Sequence, residues 1–390
     1  MTVKYIVTGL GARELEKGAT VVYERWIKRR DKPGPGMLVE LETRSGYRAC
    51  GLWDGAGHVG VRILERGSCG TTDPLEAITA NLERALRLRE KTGLAVPRQG
   101  FRLVNSDGDF LSGLIIDVYN DIAVIQSSSL AFDLYLKDIA EWLTRQLGVH
   151  HVYEKSVQRS RRDIGLQPRR RWLRGGGKEE TVIEEYGVRF IVNVVEGQKT
   201  GFFLDQRGNR REFGGYAGRG DSALDVFSYT GGFGLHAGFN GASRLVFLEE
   251  DPFAVRLLER NLELNGFRRY SIINESVWSG RNKLRDRFDL VSVDPPAFIQ
   301  RPGEEAFRKG AAAYRSVYDM GVELTVDDGG IAYLSSCSYF LGRSDFMDIV
   351  RDVTAGRNAR IIGGLRGADR DHVTGTAAYL EYLKGAFIAL

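Results

Sequence analysis

With 390 residues, 43% of them hydrophobic and 27% charged, the chain has the make-up of a folded protein of two or three domains and falls outside the disordered class. A formal net charge of +4 says little about partners, and the three cysteines, Cys50, Cys69 and Cys337, are too few for a disulfide framework and fit a reducing compartment. The sequence has no apolar stretch long enough to cross a bilayer and opens without the basic and apolar regions of an export signal, so the expectation is a cytoplasmic protein with no membrane partner.

Residues 1–72 alternate short strand-like runs with turn signals at 32–36, at Ser45 and Gly46, and at 54–57, the pattern of a small β-barrel. At Asp73 and Pro74 the period changes. Leu75, Ile78, Leu82, Ala85, Leu86 and Leu88 then follow at helical spacing, behind an aspartate cap and a proline in the first helical position. Strands near 101–105, 114–119 and 122–126, a helix near 131–147 and a strand near 149–154 fill out an α+β middle domain over 73–180. It ends in an arginine-rich segment carrying Arg159, Arg161, Arg162, Arg169, Arg170 and Arg171, with Trp172 among them. As a loop, this segment could track phosphates and stack on unpaired bases; the alternative is a solvated loop with no ligand. Gly175, Gly176 and Gly177 then mark a hinge.

From 181 to 390 strand and helix patterns alternate, and the strands are apolar throughout, which predicts a mostly parallel doubly wound α/β sheet. Strands are expected at 223–227, 244–248, 271–273, 289–293 and 331–335, closed by an antiparallel pair near 360–362 and 382–388. Such a closing hairpin is usual in methyltransferases that use S-adenosylmethionine (SAM) and absent from dinucleotide dehydrogenases.

The first of these strands ends with Asp225 and Phe227 and runs into Gly231, Gly232 and Gly234, a glycine turn that lets backbone pass close to a ligand at a helix N-terminus. Glu249 ends the next strand, where a carboxylate can accept from both hydroxyls of a ribose; it could instead be a helix N-terminal charge. Glu275, Ser276 and Val277 follow the third strand, where methyltransferases commonly place an acid for the adenine amino group; Glu275 or Ser276 could instead be a surface residue. Upstream, Phe203, Asp205 and Arg207 sit in a segment able to close over a cofactor.

The run Val291-Ser-Val-Asp294 ends in Pro295, Pro296 and Phe298, so a buried strand stops abruptly and presents an acid and an aromatic ring at its carboxyl end. Asp294 followed by two prolines and an aromatic is the signature of methyltransferases acting on bases. There Asp294 engages the heterocycle and borders the cofactor, while Pro295, Pro296 and Phe298 shape the slot. Cys337 falls just past the end of the following strand. A lone cysteine is usually inert packing, but methylation of cytosine at C5 demands a nucleophile at C6, and a thiolate serves. His58, His150 and His151 have no companions at metal-ligand spacing, and no metal is assigned.

Taken together, the segment from Thr200 to Arg207, the glycine turn, Asp294 to Phe298 and Ser336-Cys337-Ser338 resemble the PUA-domain-containing 23S ribosomal RNA 5-methylcytosine methyltransferases over essentially the whole chain. The resemblance implies a class I, Rossmann-like SAM methyltransferase domain over 181–390 and a PUA-like RNA-binding barrel over 1–72. It also implies SAM as donor, large-subunit ribosomal RNA as partner, and Cys337 as the sole catalytic cysteine, with Asp294 beside it. Pro295-Pro296 stands where many RNA 5-methylcytosine enzymes have Pro-Cys, so a two-cysteine cycle is not available. The chain departs from the family at Glu249, where aspartate is commoner, and at Val373, where proline is expected after Asp371-His372. A homodimer is a further expected partnership. The competing readings are methylation of a guanine or adenine nitrogen, a nicotinamide oxidoreductase, and an RNA-binding assembly factor that has lost catalysis.

Overall fold

The computed structural model describes residues 3–28 and 33–390. Of the expected turn at 32–36, Lys32 lies outside the described residues, as do Met1 and Thr2. The chain divides into two compact units. One comprises Met1–Ile183, Val192–Phe202 and Arg370–Leu380, the other Glu184–Ile191, Phe203–Asp369 and Glu381–Leu390.

The sequence leads one to expect three domains, but no unit boundary falls at 72, because residues on either side of it share one core. Leu38, Leu52 and Leu64 pack in the same buried cluster as Ile78, Leu82, Leu103 and Phe132. The buried Arg62 guanidinium, bonded to Asp54, also donates to the Ser112 and Ser128 carbonyls. A buried cation with its donors spent in this way ties the elements together more tightly than a linker would.

The first unit holds a six-stranded mixed sheet in the order Val21–Tyr23, Val59–Arg66, Arg48–Trp53, Leu38–Glu42, Val3–Val7, Ile27–Lys28. A second, five-stranded sheet runs Arg169–Arg174, His151–Ser156, Ile122–Ser127, Leu114–Tyr119, Gly100–Asn105. The helix Pro74–Lys91 starts as its sequence dictates, with the Asp73 side chain accepting from the Leu75 N–H. In place of one helix near 131–147 there are two, Leu130–Asp133 and Leu136–Leu147, the first capped by Ser129. Within the segment Arg370–Leu380, the fully buried Asp371 accepts from the Arg102 N–H at 2.9 Å, and the Val373 carbonyl takes the Asn105 amide at 2.8 Å. That segment therefore serves as packing within the first unit.

Two expectations are corrected here. Cys50 and Cys69 are joined in a disulfide, Cα atoms 5.0 Å apart, so only Cys337 carries a thiol. The cause is strand pairing: Arg48–Trp53 and Val59–Arg66 are antiparallel neighbours, and the chain just beyond the second strand returns past Cys50. The arginine-rich segment is also not a loop. Arg159–Asp163 is a short helix, and Arg169–Arg174 is an edge strand paired antiparallel with His151–Ser156.

The second unit is built on a seven-stranded sheet of β1 (Ser222–Val226), β2 (Arg244–Leu248), β3 (Tyr270–Ile273), β4 (Leu290–Val293), β5 (Ile331–Ser336), β6 (Arg360–Arg366) and β7 (Lys384–Ala389), in the order β3-β2-β1-β4-β5-β7-β6. The pairs from β3 through β5 are parallel; β5 with β7 and β7 with β6 are antiparallel. Its helices are α1 (Arg207–Gly215), α2 (Gly232–Asn240), α3 (Pro252–Leu264), α4 (Val277–Gly280), α5 (Glu304–Glu323) and α6 (Arg343–Thr354). The strands are apolar because helices cover both faces. Leu224, Val291, Ala332 and Ile388 of the strands share one core with Tyr314 and Val317 of α5 and Phe346 of α6. This is the α/β class expected, and each of its strands starts and ends within a few residues of the sequence reading.

Candidate active site

The strand order reverses between β1 and β4, so the carboxyl ends of these two strands flank a crevice, the place where open α/β sheets bind ligands. On the β1 side the turn that follows carries Phe227 and Tyr229 in the left-handed region, at φ 62° and 48°. Backbone strain of this kind is kept where a site over-determines it. Asp225 is buried. Its two oxygens take the Gly234 N–H at 2.9 Å and the Ser292 hydroxyl at 2.7 Å. Burial pushes its carboxyl up to about 7 against those two bonds. Glu249 accepts from the Tyr229 N–H at 2.7 Å and the Asp251 N–H at 2.9 Å, and burial raises it too.

The glycines of this turn also have a packing role that the sequence did not show. A Cβ on Gly231 would strike Leu235 and Leu258, one on Gly234 would strike Phe247, and one on Gly232 would meet the Arg210 side chain at 2.6 Å. They let α2 close onto the sheet, so their small size serves helix packing. The expectation for Arg207 is corrected. It is wholly buried, its Nε on Asp369 at 2.6 Å, and presents no surface to a cofactor. Phe203 is half-buried with its ring edge-on to Tyr229 at 5.2 Å, and one oxygen of Asp205 takes the Tyr382 hydroxyl at 2.6 Å. Beyond β3, Glu275 pairs with Lys283, which lowers its carboxyl. Ser276 is the N-cap of α4, and Val277 is buried.

On the other side, Asp294 follows β4 and lies half-buried. Its carboxylate accepts from Ser335 of β5 at 2.5 Å and from the Gln206 amide at 2.9 Å. Gln206 is held in turn by the Asn209 amide at 2.6 Å and the Tyr333 hydroxyl at 3.0 Å. Loss of surrounding water pushes Asp294 up to about 6, and the nearby Asp205 charge adds to the shift. Cys337, half-buried just past β5, has its Sγ 4.0 Å from the Pro295 carbonyl. The thiol and the carboxylate therefore lie at the ends of neighbouring strands. Pro296 is exposed, and the Phe298 ring packs on Tyr314 at 4.8 Å and edge-on to Phe227 at 6.3 Å. The Tyr314 hydroxyl meets the Phe298 N–H at 3.2 Å and the Ser338 hydroxyl at 2.7 Å, fixing the proline loop against the loop that carries Cys337.

The S-adenosylmethionine-dependent methyltransferase family model matches residues 126–339. The chain belongs to this family. It is 33% identical over 384 residues to the ribosomal RNA large subunit methyltransferase I of Aeromonas hydrophila, covering 94% of each chain. With the ribosomal RNA large subunit methyltransferase of Deinococcus radiodurans it shares 30% over 395 residues, 96% of this chain and 94% of the relative. A crystal structure of a protein complexed with SAH superposes over the whole of both chains with a TM-score of 0.80 at 19% identity, a likeness of fold.

The methyl donor of this methyltransferase is SAM. The residues present fit it. Ser228 Oγ, Thr230 Oγ1 and Asp205 Oδ1 are buried with no hydrogen-bond partner, in the turn after β1 and the segment leading into α1. Buried polar atoms are nearly always satisfied, so an orphaned trio beside the crevice is what a polar ligand would complete. Glu249, whose oxygens each keep a lone pair, and Phe227 stand at the same strand ends.

Sequence reasoning missed Gln206, Ser335, Tyr314 and Lys384. The first three look like ordinary polar residues until the sheet brings them to Asp294 and Cys337. Lys384 carried a signal: a cation opening an apolar terminal strand, where it is 3% exposed. Of the six arginines proposed for RNA, Arg159, Arg162 and Arg170 are exposed. Arg171, also exposed, pairs with Glu154, and Arg169 with Asp133. Arg161 is wholly buried with two nitrogens on Asp133 at 2.8 and 2.9 Å, which removes it from any RNA surface. A cavity of about 910 Å³ in the first unit, lined by Tyr23, Trp26, Asp107 and Tyr379 among others, includes none of the expected site residues.

Proposed function

We propose that the protein transfers a methyl group from SAM to C5 of a cytosine in large-subunit ribosomal RNA through a covalent adduct of Cys337. The observation that carries this reading is the placement of the Cys337 thiol 4.0 Å from the Pro295 carbonyl, next to an Asp294 bonded to Ser335. The large-subunit ribosomal RNA substrate rests on the relatives named as ribosomal RNA large subunit methyltransferases. Bound SAM supplies an electrophilic methyl group.

Everything else falls to the chain. Cys337 as thiolate forms a bond to C6, and the electron pair of the C5–C6 double bond moves into the ring, making C5 nucleophilic. Asp294 faces the exocyclic amino group as an acceptor. With a carboxyl pushed up to about 6 it also takes a proton readily enough to donate to N3, where charge develops. C5 then gains the methyl group, its proton leaves to a base, the double bond re-forms, and the C6–S bond breaks to return the thiolate. Phe298, buttressed by Tyr314, gives the heterocycle a flat wall.

Reaching C5 and C6 requires an unpaired or flipped nucleotide. The exposed Arg159, Arg162 and Arg170, with the N-terminal sheet read as PUA-like, hold the flanking RNA. In the cell the protein works in the cytoplasm. Incubation with SAM and RNA containing 5-fluorocytosine is the test: the fluorine blocks departure of the C5 substituent, so a denaturation-resistant adduct is expected, and it disappears in Cys337→Ala. An adduct that survives this substitution removes Cys337 from the mechanism. Methyl label found on a purine nitrogen by nucleoside mass spectrometry replaces this reading with its rival.

A further inference from the structure

Lys384 opens β7 directly opposite Ser336 in the β5–β7 register, and its Nζ donates to the Ser338 carbonyl at 2.6 Å. The Lys384 backbone thus pairs beside the residue before Cys337, and its ammonium is bonded to the carbonyl of the residue after it. It is 3% exposed, and among the described residues it has no carboxylate partner. A buried cation without a counter-anion is costly, and it persists where something nearby supplies negative charge. The titratable groups that act on it are Cys337, which favours its charged form, and Arg343 at the start of α6, which opposes it.

Other ionisable groups that act on the sulfur include Tyr314 and Tyr318 of α5, and Asp294 stands at the end of the neighbouring strand β4. Burial raises the two phenols, so both stay neutral, and the Tyr318 hydroxyl is spent on the Ser335 carbonyl at 2.6 Å. Lys384 is therefore the cation placed to balance a sulfur anion.

We propose that Lys384 is the positioning residue for the Cys337 nucleophile: its ammonium, anchored on the Ser338 carbonyl, holds the sulfur as a thiolate at neutral pH. This deepens the cytosine reading and rests on it for its role in catalysis, though the charge coupling itself does not. The proton lost by the thiol passes to solvent, and Lys384 keeps its own. Burial pulls Lys384 down to about 8, which agrees with a cation that needs the thiolate beside it in order to stay charged.

With Cys50 and Cys69 in a disulfide, Cys337 is the one thiol in the chain, so its titration can be read directly from the rate of alkylation by neutral iodoacetamide between mildly acidic and alkaline pH. In the wild-type protein the midpoint is expected below the ordinary thiol value of about 8.5. Lys384→Met raises the midpoint by about one unit, which slows alkylation at neutral pH about tenfold, and Lys384→Arg restores it. A wild-type midpoint at or above about 8.5 overturns the proposal even if Lys384→Met does not fold. So does an unshifted midpoint in a Lys384→Met protein that still binds SAM. If the midpoint shifts as stated but methyl transfer survives Cys337→Ala, the coupling stands and the nucleophile reading falls.

Discussion

β1 and β4 are adjacent parallel strands, each ending near an aspartate whose carboxyl burial has raised, yet the two acids are spent differently. Asp225 has given both oxygens to its own scaffold, a backbone N–H of α2 and a hydroxyl on β4. Asp294 is held by two side-chain donors, Ser335 and Gln206. Side-chain donors can turn toward a ligand, whereas a helix N–H cannot. A perturbed carboxyl is therefore a poor guide to chemistry until its partners are known, and the same distinction separates Arg161 from Arg170 in the other unit.

The largest effect expected from this contrast is at Asp294. Asp294→Asn should cut kcat about 10³-fold, roughly 4 kcal/mol of transition-state stabilisation, with SAM affinity little changed. Single-turnover methylation and calorimetry separate the two, and a loss of SAM binding alone would make Asp294 a scaffold group like Asp225. Next comes Arg161→Gln, which takes two donors from the buried Asp133 and leaves it Arg169 as its ion-pair partner, and should cost about 2 kcal/mol in denaturant unfolding. If that cost is negligible, Arg161 is not the locked member of the arginine run.

Asp225 gives a pH test. A raised carboxyl favours the folded chain below the unfolded value near 3.9, and that contribution is lost as pH climbs through about 7. Wild-type stability should fall across that window, and Asp225→Asn should flatten the slope; parallel slopes would show the acid ionised at no cost. The smallest effect belongs to Arg170→Gln. Stability should stay within about 0.5 kcal/mol of wild type, while the slope of log affinity for RNA against log salt falls by about one. An unchanged salt slope would take this edge strand out of the RNA surface.

Much of the second unit was legible along the chain because its signals are local. Apolar strands bounded by turn residues, the Asp251-Pro252 helix start and the proline stop after Asp294 act within a few residues of themselves. The joined core of the first unit was not legible, since it depends on elements far apart in sequence, and the disulfide follows from how two neighbouring strands pair; the two-helix break near Leu134 was not foreseen either. The arginine run misled for a related reason: its composition looks like a loop, but pairing with His151–Ser156 makes it a strand whose alternate positions meet different surroundings.

By itself the amino-acid sequence determined the parallel sheet, its closing hairpin, the crevice at Asp294 and the identity of the cysteine beyond β5. Residue type and short spacing are enough for that, because propensity and strand termination are near-neighbour effects. Which polar groups are locked and which remain available was decided only in the tertiary structure. Hydrogen bonds such as Ser292 to Asp225, Gln206 to Asp294 and Lys384 to the Ser338 carbonyl join residues between 46 and 88 positions apart, and burial sets how much each is worth.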